Sequence, residues 1–144
     1  MMPKRNRSGF TLVELLMVMV VLAVIMAIVI PQFYSRHKQA QEAALKSDLK
    51  ILRNAIASFQ ADTGYYPKQL SDMTGSAAPA QGYDSTGTAA AITSSDYKGP
   101  YIQAVPTDPV SKAAFTYSVA SPTVGSITSS AAGNGLDGTA YSTW

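Results

Sequence analysis

The chain contains no cysteine among its 144 residues. Small exported domains often compensate for a thin hydrophobic core with disulfide bonds, and that route is closed here. The length suits one domain of ordinary size and a membrane anchor. Packing, a metal ion or neighbouring subunits must therefore hold the C-terminal loops of that domain in place.

Residues that carry chemistry are also scarce. The one histidine, His37, has neither an acid nor a nucleophile beside it, and a solvated helix position explains it best. The sequence shows no nucleophile, base and acid set, no metal-ligand cluster and no phosphate-binding loop. It therefore predicts that the protein is not an enzyme.

Positive charge is concentrated at the N-terminal end. The chain has 11 basic and 9 acidic side chains, and Lys4, Arg5 and Arg7 supply three of those bases. From residue 62 onward the side chains sum to −3, since three lysines accompany six aspartates. No basic stripe remains to follow a nucleic-acid backbone, so we expect no nucleic acid as partner.

A long apolar run follows the basic leader. From Phe10 to Ile30 there are 21 residues, of which Glu14 alone is charged. At ~1.5 Å rise per residue, a helix of roughly 20 residues matches the ~30 Å hydrocarbon core of a bilayer. The preceding bases predict that the helix begins on the cytoplasmic side. We therefore expect a single transmembrane helix over residues 10–30.

The junction between leader and apolar run carries the most specific motif. A secretory signal is cut after its apolar core, whereas the small residue Gly9 precedes the core here. Cleavage after Gly9 would remove the leader, residues 1–9, and keep the span. The string Gly9-Phe10-Thr11-Leu12-Val13-Glu14 resembles the prepilin processing site of type IV pilins and type II secretion pseudopilins. The alternative is an ordinary single-pass anchor with a chance Gly-Phe pair.

The resemblance implies processing followed by assembly. In that family a membrane-bound prepilin peptidase cuts after the glycine and methylates the new amino terminus, here Phe10. Glu14 is expected to pair with the terminal amine of a neighbouring subunit, because either charge left unpaired in an apolar bundle is costly. A subunit inserted at the wrong depth would leave both the Glu14 carboxylate and the amine unpaired, so the pair would select the correct depth of insertion in the bundle. The alternative is a glutamate that reaches the membrane interface and has no further role.

The helix is predicted to continue over residues 31–62. Pro31 lacks a backbone donor and clashes with the preceding turn, so we expect a kink or local melting there that bears on assembly. An amphipathic, core-facing stripe follows. It consists of Leu45, Leu49, Leu52, Ile56 and Phe59. The opposite face is assigned the charged residues Arg36, Lys38, Glu42, Lys46, Asp48, Lys50 and Arg53. Gly64 is suited to end the helix.

Residues 63–144 are predicted to form a loop and a small β-sheet head. Residues 74–95 are nearly all small or polar, which predicts a long surface loop. Strand-like alternation occurs over 115–119, with weaker candidates at 123–128 and 139–143. The fold class is therefore α+β and pilin-like: a long N-terminal helix, half membrane-spanning and half amphipathic, packed on a small antiparallel sheet.

Motifs in the head narrow the resemblance. Asp62-Thr63-Gly64-Tyr65-Tyr66-Pro67 and Pro106-Thr107-Asp108-Pro109 resemble the major pseudopilin subfamily of type II secretion. The Trp-Gly that follows the Asp-Pro in that subfamily is replaced by Val110-Ser111. The choice between a pseudopilin and a type IV pilus subunit for adhesion, motility or DNA uptake therefore stays open. A membrane-tethered binding module, with loop 74–95 as its recognition surface, is the alternative from another class.

The leading hypothesis is a structural subunit that polymerises into a helical filament and thereby moves secreted proteins. Stacked subunits related by a rotation and a rise make contacts that do not close, which is how a filament grows. The resemblance implies a homopolymer, joined by minor pseudopilins and built on an inner-membrane assembly platform. The implied location is the bacterial inner membrane, crossed once, with the head periplasmic and the filament periplasmic or at the cell surface.

Residues 133–138 form a glycine-rich segment near the C-terminal end. Asn134 and Asp137, with nearby carbonyls, offer the hard oxygen ligands that calcium prefers. The pseudopilins that the chain resembles bind calcium in their C-terminal loop, usually with more acids than are present here. Calcium at Asn134 and Asp137 and a plain glycine-rich turn are therefore both left open.

Overall fold

In a computed structural model of the protein, residues 9–144 are described and fall into two compact units, which divide between Lys38 and Gln39. One long helix precedes a set of short strands. The elements are α1 (Leu12–Thr63), β1 (Tyr66–Pro67), β2 (Gln81–Tyr83), β3 (Ala89–Ala91), β4 (Thr116–Tyr117) and β5 (Ile127–Thr128), with 3-10 helices at Leu70–Met73 and Tyr141–Thr143. The predicted α+β class is confirmed.

The helix α1 is continuous over 52 residues and runs through Pro31. The expected local melting there is wrong, because one lost backbone donor leaves the turns on either side intact. At the other end the prediction is confirmed. Gly64 follows the helix with φ at +77°, and its N–H donates to the carbonyl of Gln60 at 2.8 Å.

The first part of α1 presents its apolar side chains outward. Within residues 9–144, α1 is the helix that is long and apolar enough to cross a membrane. Its most apolar window of 18 residues has a mean hydropathy of 3.1. None of that window is buried within the structure, whereas the core helix of a soluble protein would be largely buried. These side chains therefore have no partner within residues 9–144 that would shield them from water.

The second part of α1 supplies the core of the head. All five residues of the predicted stripe are at most 4% exposed, which confirms it. They pack with residues from the whole C-terminal part, including Met73, Tyr97, Phe115, Ile127 and Tyr141. The ring of Phe59 meets Tyr97 and Tyr101 edge to face, with centroids 5.9 and 5.7 Å apart.

One assignment on this helix is wrong. The sequence pattern predicts Glu42 on the exposed charged face, yet Glu42 is only 8% exposed. It lies three residues before Leu45 and seven before Leu49, so it continues the buried stripe by one step. A carboxylate is tolerated there because two donors of the C-terminal segment reach it.

The strands form two small antiparallel sheets. The first has the order β1-β2-β3, with Tyr66 opposite Tyr83 and Gln81 opposite Ala91. The second pairs β4 with β5, with Tyr117 opposite Ile127. The strand predicted over 115–119 is thus confirmed at its centre, and the one over 123–128 at its end.

The segment 74–95 is not a structureless loop, because it contains the β2–β3 hairpin. Asp84 organises the turn: its Oδ1 accepts hydrogen bonds from the Thr86 N–H at 2.8 Å and the Thr88 N–H at 2.9 Å. Gly82 lets β2 approach β1, since a Cβ at that position would lie 2.7 Å from the Cβ of Tyr65. Low hydrophobicity concealed a hairpin that backbone pairing and one side chain hold together.

The strand candidate at 139–143 is also wrong. Residues Tyr141–Thr143 form a 3-10 helix, and the backbone of Ala140 makes a single bridge to Asn134. The chain turns back on itself between these two residues, so a bridge of one pair replaces a strand.

Candidate functional site

The N-terminal site is built around Glu14, near the start of the apolar helix. Its Oε2 accepts hydrogen bonds from the Thr11 N–H and the Thr11 hydroxyl, both at 3.0 Å. In return the Glu14 N–H donates to the Thr11 hydroxyl at 3.2 Å. This reciprocal arrangement is a capping box. The Thr-x-x-Glu spacing is the signal of this box in the sequence, although it was not predicted from the sequence.

Gly9 and Phe10 lie exposed ahead of the cap. Nothing lies within 4 Å of where a Cβ on Gly9 would stand, so this chain's own fold does not require glycine there. Phe10 is 84% exposed. Residues 1–8, which include Lys4, Arg5 and Arg7, lie outside the described residues. Cleavage after Gly9, methylation of Phe10 and the assembly roles of Glu14 and Pro31 stay predictions.

In the head, a buried carboxylate joins two segments. Asp108 is fully buried, and its Oδ1 accepts from the Val110 N–H at 2.8 Å and the Ser111 N–H at 3.1 Å. Its Oδ2 accepts from the Ser129 hydroxyl at 2.5 Å and the Ser130 N–H at 3.2 Å. Burial raises the pKa of Asp108, but these four hydrogen bonds outweigh it and lower the pKa below its ordinary value.

The head should therefore lose stability in acid through Asp108. A carboxyl with a lowered folded pKa stabilises fully above its unfolded pKa of ~3.9, and the contribution disappears as the pH falls through the folded value. We expect Asp108→Asn to cost about 3 kcal/mol of unfolding free energy at neutral pH. It should also flatten the decline of that free energy below about pH 4. Ser129→Ala should give a smaller loss.

The measurement is denaturant unfolding of the full chain in detergent between neutral and acidic pH. If wild type and Asp108→Asn declined in parallel, Asp108 would not be a source of the acid sensitivity.

The proposed calcium residues lie in the loop between Ala131 and Tyr141. Asp137 Oδ1 accepts from the Thr139 N–H at 3.0 Å and the Thr139 hydroxyl at 2.6 Å. Its Oδ2 lies 3.5 Å from Lys46 Nζ. Hydrogen bonds from the Thr139 side chain and backbone, with the Lys46 charge, lower the pKa of Asp137. Asn134 is engaged in the backbone bridge to Ala140.

This arrangement offers few of the side-chain ligands that a calcium ion takes. Calcium takes roughly 6–8 oxygen ligands, several of them carboxylates. Here Asp137 is held by Thr139 and the Lys46 ammonium, and an ammonium repels a second cation. Within residues 9–144, moreover, there is no group of three or more His, Cys, Asp or Glu side chains that could hold a metal.

An exposed apolar helix that leads into a small α+β head, packed on that helix's amphipathic half, defines a pilin-like subunit. Two family profiles agree. The prokaryotic N-terminal methylation motif matches residues 4–30, and the type II secretion system protein G family matches residues 32–141. The chain belongs to the type II secretion system protein G family.

Two of three similar curated proteins carry the same description. The type II secretion system core protein G of Aeromonas hydrophila is 32% identical over 75% of this chain and 71% of its own length. That of Pseudomonas aeruginosa is 39% identical over 46% of each chain. The type IV major pilin protein PilA of Myxococcus xanthus is 37% identical over 43% of this chain and 28% of its own. The match thus spans less than half the length of the last two of these relatives. No solved structure matches the chain significantly.

Proposed function

We propose that the protein is the structural subunit of a filament in a type II secretion system, as its major pseudopilin. One observation carries the proposal: an apolar helix that the described residues, 9–144, leave uncovered is joined to a head of the protein G family. An exposed apolar surface of this size needs lipid or other subunits around it. A pseudopilin has lipid before assembly and neighbouring helices afterwards.

The proposed partners follow from the passage of the subunit from the membrane into the filament. The precursor meets the prepilin peptidase, which cuts after Gly9, and the processed chain then joins copies of itself and minor pseudopilins on an inner-membrane assembly platform. It crosses the inner membrane once, with the head in the periplasm. The large exposed side chains Phe33 and Tyr34 extend the apolar surface beyond residue 30 and would pack in the filament.

The role is structural rather than enzymatic. Filament growth at the base would push secreted proteins outward, and the work would come from the assembly machinery rather than from a site in this chain. The family, whose members are pseudopilins, supports this proposal.

Deletion of the gene tests the proposal against the pilus alternative. Secreted enzymes should accumulate in the periplasm of the deletion strain, whereas surface motility and DNA uptake should be unchanged. A plasmid copy should restore secretion. Lost motility with intact secretion would favour a type IV pilus subunit, and loss of neither would favour a membrane-tethered binding module.

A further inference from the structure

We infer that the head holds its C-terminal segment without a metal ion, through a clamp of three charged side chains from α1. This helix clamp consists of Glu42, Lys46 and Arg53, which contact residues between Ile127 and Trp144. The inference concerns the stability of the head and does not depend on the proposed filament.

Glu42 makes the buried part of the helix clamp. Its Oε1 accepts hydrogen bonds from the Leu136 N–H at 2.9 Å and the Tyr141 hydroxyl at 2.8 Å. Burial first, and then the Glu42 carboxylate, raises the pKa of Tyr141 to about 12, so the hydroxyl stays a donor. Hydrogen bonds to a charged acceptor are roughly twice as strong as those between neutral groups.

Lys46 makes the part of the helix clamp that stands in place of a bound metal ion. Its Nζ lies 3.5 Å from Asp137 Oδ2 and 4.0 Å from the centroid of the Trp144 ring. The indole of Trp144 donates to the Thr139 hydroxyl at 2.5 Å and meets Tyr141 edge to face. The Lys46 ammonium therefore supplies, beside the Asp137 carboxylate, the positive charge that a bound metal ion would otherwise provide.

Arg53 closes the third contact. Its Nη2 donates to the carbonyl of Ile127 at 3.1 Å and also to the carbonyl of Trp144. One guanidinium thus joins the exposed face of α1 to β5 and to residue 144. The helix clamp as a whole joins positions that are between 74 and 99 residues apart in sequence. In a chain without cysteine, contacts of this range hold the segment on α1 in the folded state.

Trp144 is the single tryptophan, so its fluorescence reports on the clamped segment directly. The test is thermal unfolding of the full chain in detergent, in EGTA and in millimolar calcium chloride. The two midpoints should agree within ~1 °C, as expected for a protein that binds no calcium. Calcium titration should leave the emission unchanged. A rise of several degrees, or a saturable emission change, would overturn the inference.

Variants distinguish the loss of the helix clamp from the effect of placing a glutamate at any exposed position of α1. Lys46→Glu should lower the midpoint by roughly 4–8 °C, because it removes the cation over Trp144 and puts a like charge beside Asp137. Lys50→Glu, one turn further along at an exposed position, is the matched control and should change the midpoint by less than about 2 °C. Glu42→Ala should lower it by roughly 10 °C and shift the Trp144 emission to the red.

If Glu42→Ala does not fold, Lys46→Glu still decides the matter. Equal effects of Lys46→Glu and Lys50→Glu would show that Lys46 does not clamp the loop, and the inference would fail.

Discussion

Glu14→Gln should abolish polymer formation while membrane insertion and removal of the leader proceed normally. Gln retains a side-chain oxygen, so the capping box with Thr11 persists, and only the negative charge is lost. The terminal amine of an incoming subunit would then find no counter-charge in an apolar bundle. We expect sheared polymer to fall at least about tenfold, which corresponds to the loss of ~1.4 kcal/mol or more per contact in any association equilibrium.

The capping box demands a second variant, because Glu14 has a role within its own chain. Thr11→Ala removes the hydroxyl that bonds Glu14 in the cap but keeps the carboxylate, so it should still assemble. Glu14→Ala removes both functions and should fail like Glu14→Gln. Shearing and crosslinking assays, beside a processing blot of the same cells, distinguish the two roles. Failure of Thr11→Ala with normal polymer from Glu14→Gln would mean that capping, not pairing, matters at this site.

Gly9→Val should leave the precursor uncut. The structure offers open space at Gly9, so valine should not disturb the fold, and any effect must arise in the processing enzyme. A branched side chain adds bulk where a pocket specific for glycine would have to close. Mass spectrometry should find the wild-type chain beginning at Phe10 with one added methyl group, and the variant retaining residues 1–9.

Thr11→Ala, two positions further on, is the control for this experiment and should be processed normally. Full cleavage of Gly9→Val would contradict the proposed site. So would a wild-type chain that begins elsewhere, for example after Ala27, as a secretory signal cut behind its apolar core would produce.

Local patterns in the sequence were sufficient for the helix. The stripe from Leu45 to Phe59 and the stop at Gly64 depend on neighbours within a few residues, and both are confirmed. The capping box at Thr11 and Glu14 was equally local, and its spacing could have been read from the sequence. The burial of Glu42 was visible only as one further step of the stripe.

Contacts between distant residues account for what could not be predicted. The β2–β3 hairpin has few apolar residues, and its place in the sheet depends on the pairing of β2 with β1. Asp108 takes two of its donors from Ser129 and Ser130, more than twenty positions away. The contacts of the helix clamp join residues that are even further apart in sequence. The residues near Asn134 and Asp137 therefore gave no sign that Lys46 pairs with Asp137.

Sheared fractions from cells that express the chain together with a type II secretion system test the filament proposal most directly. Electron microscopy should show filaments, and mass spectrometry of the same fraction should identify this chain beginning at methylated Phe10. The Glu14→Gln strain should yield neither, although its membranes contain processed subunit. A processed wild-type chain that stays in the membrane as a monomer, with no filaments under overexpression, would contradict the proposal.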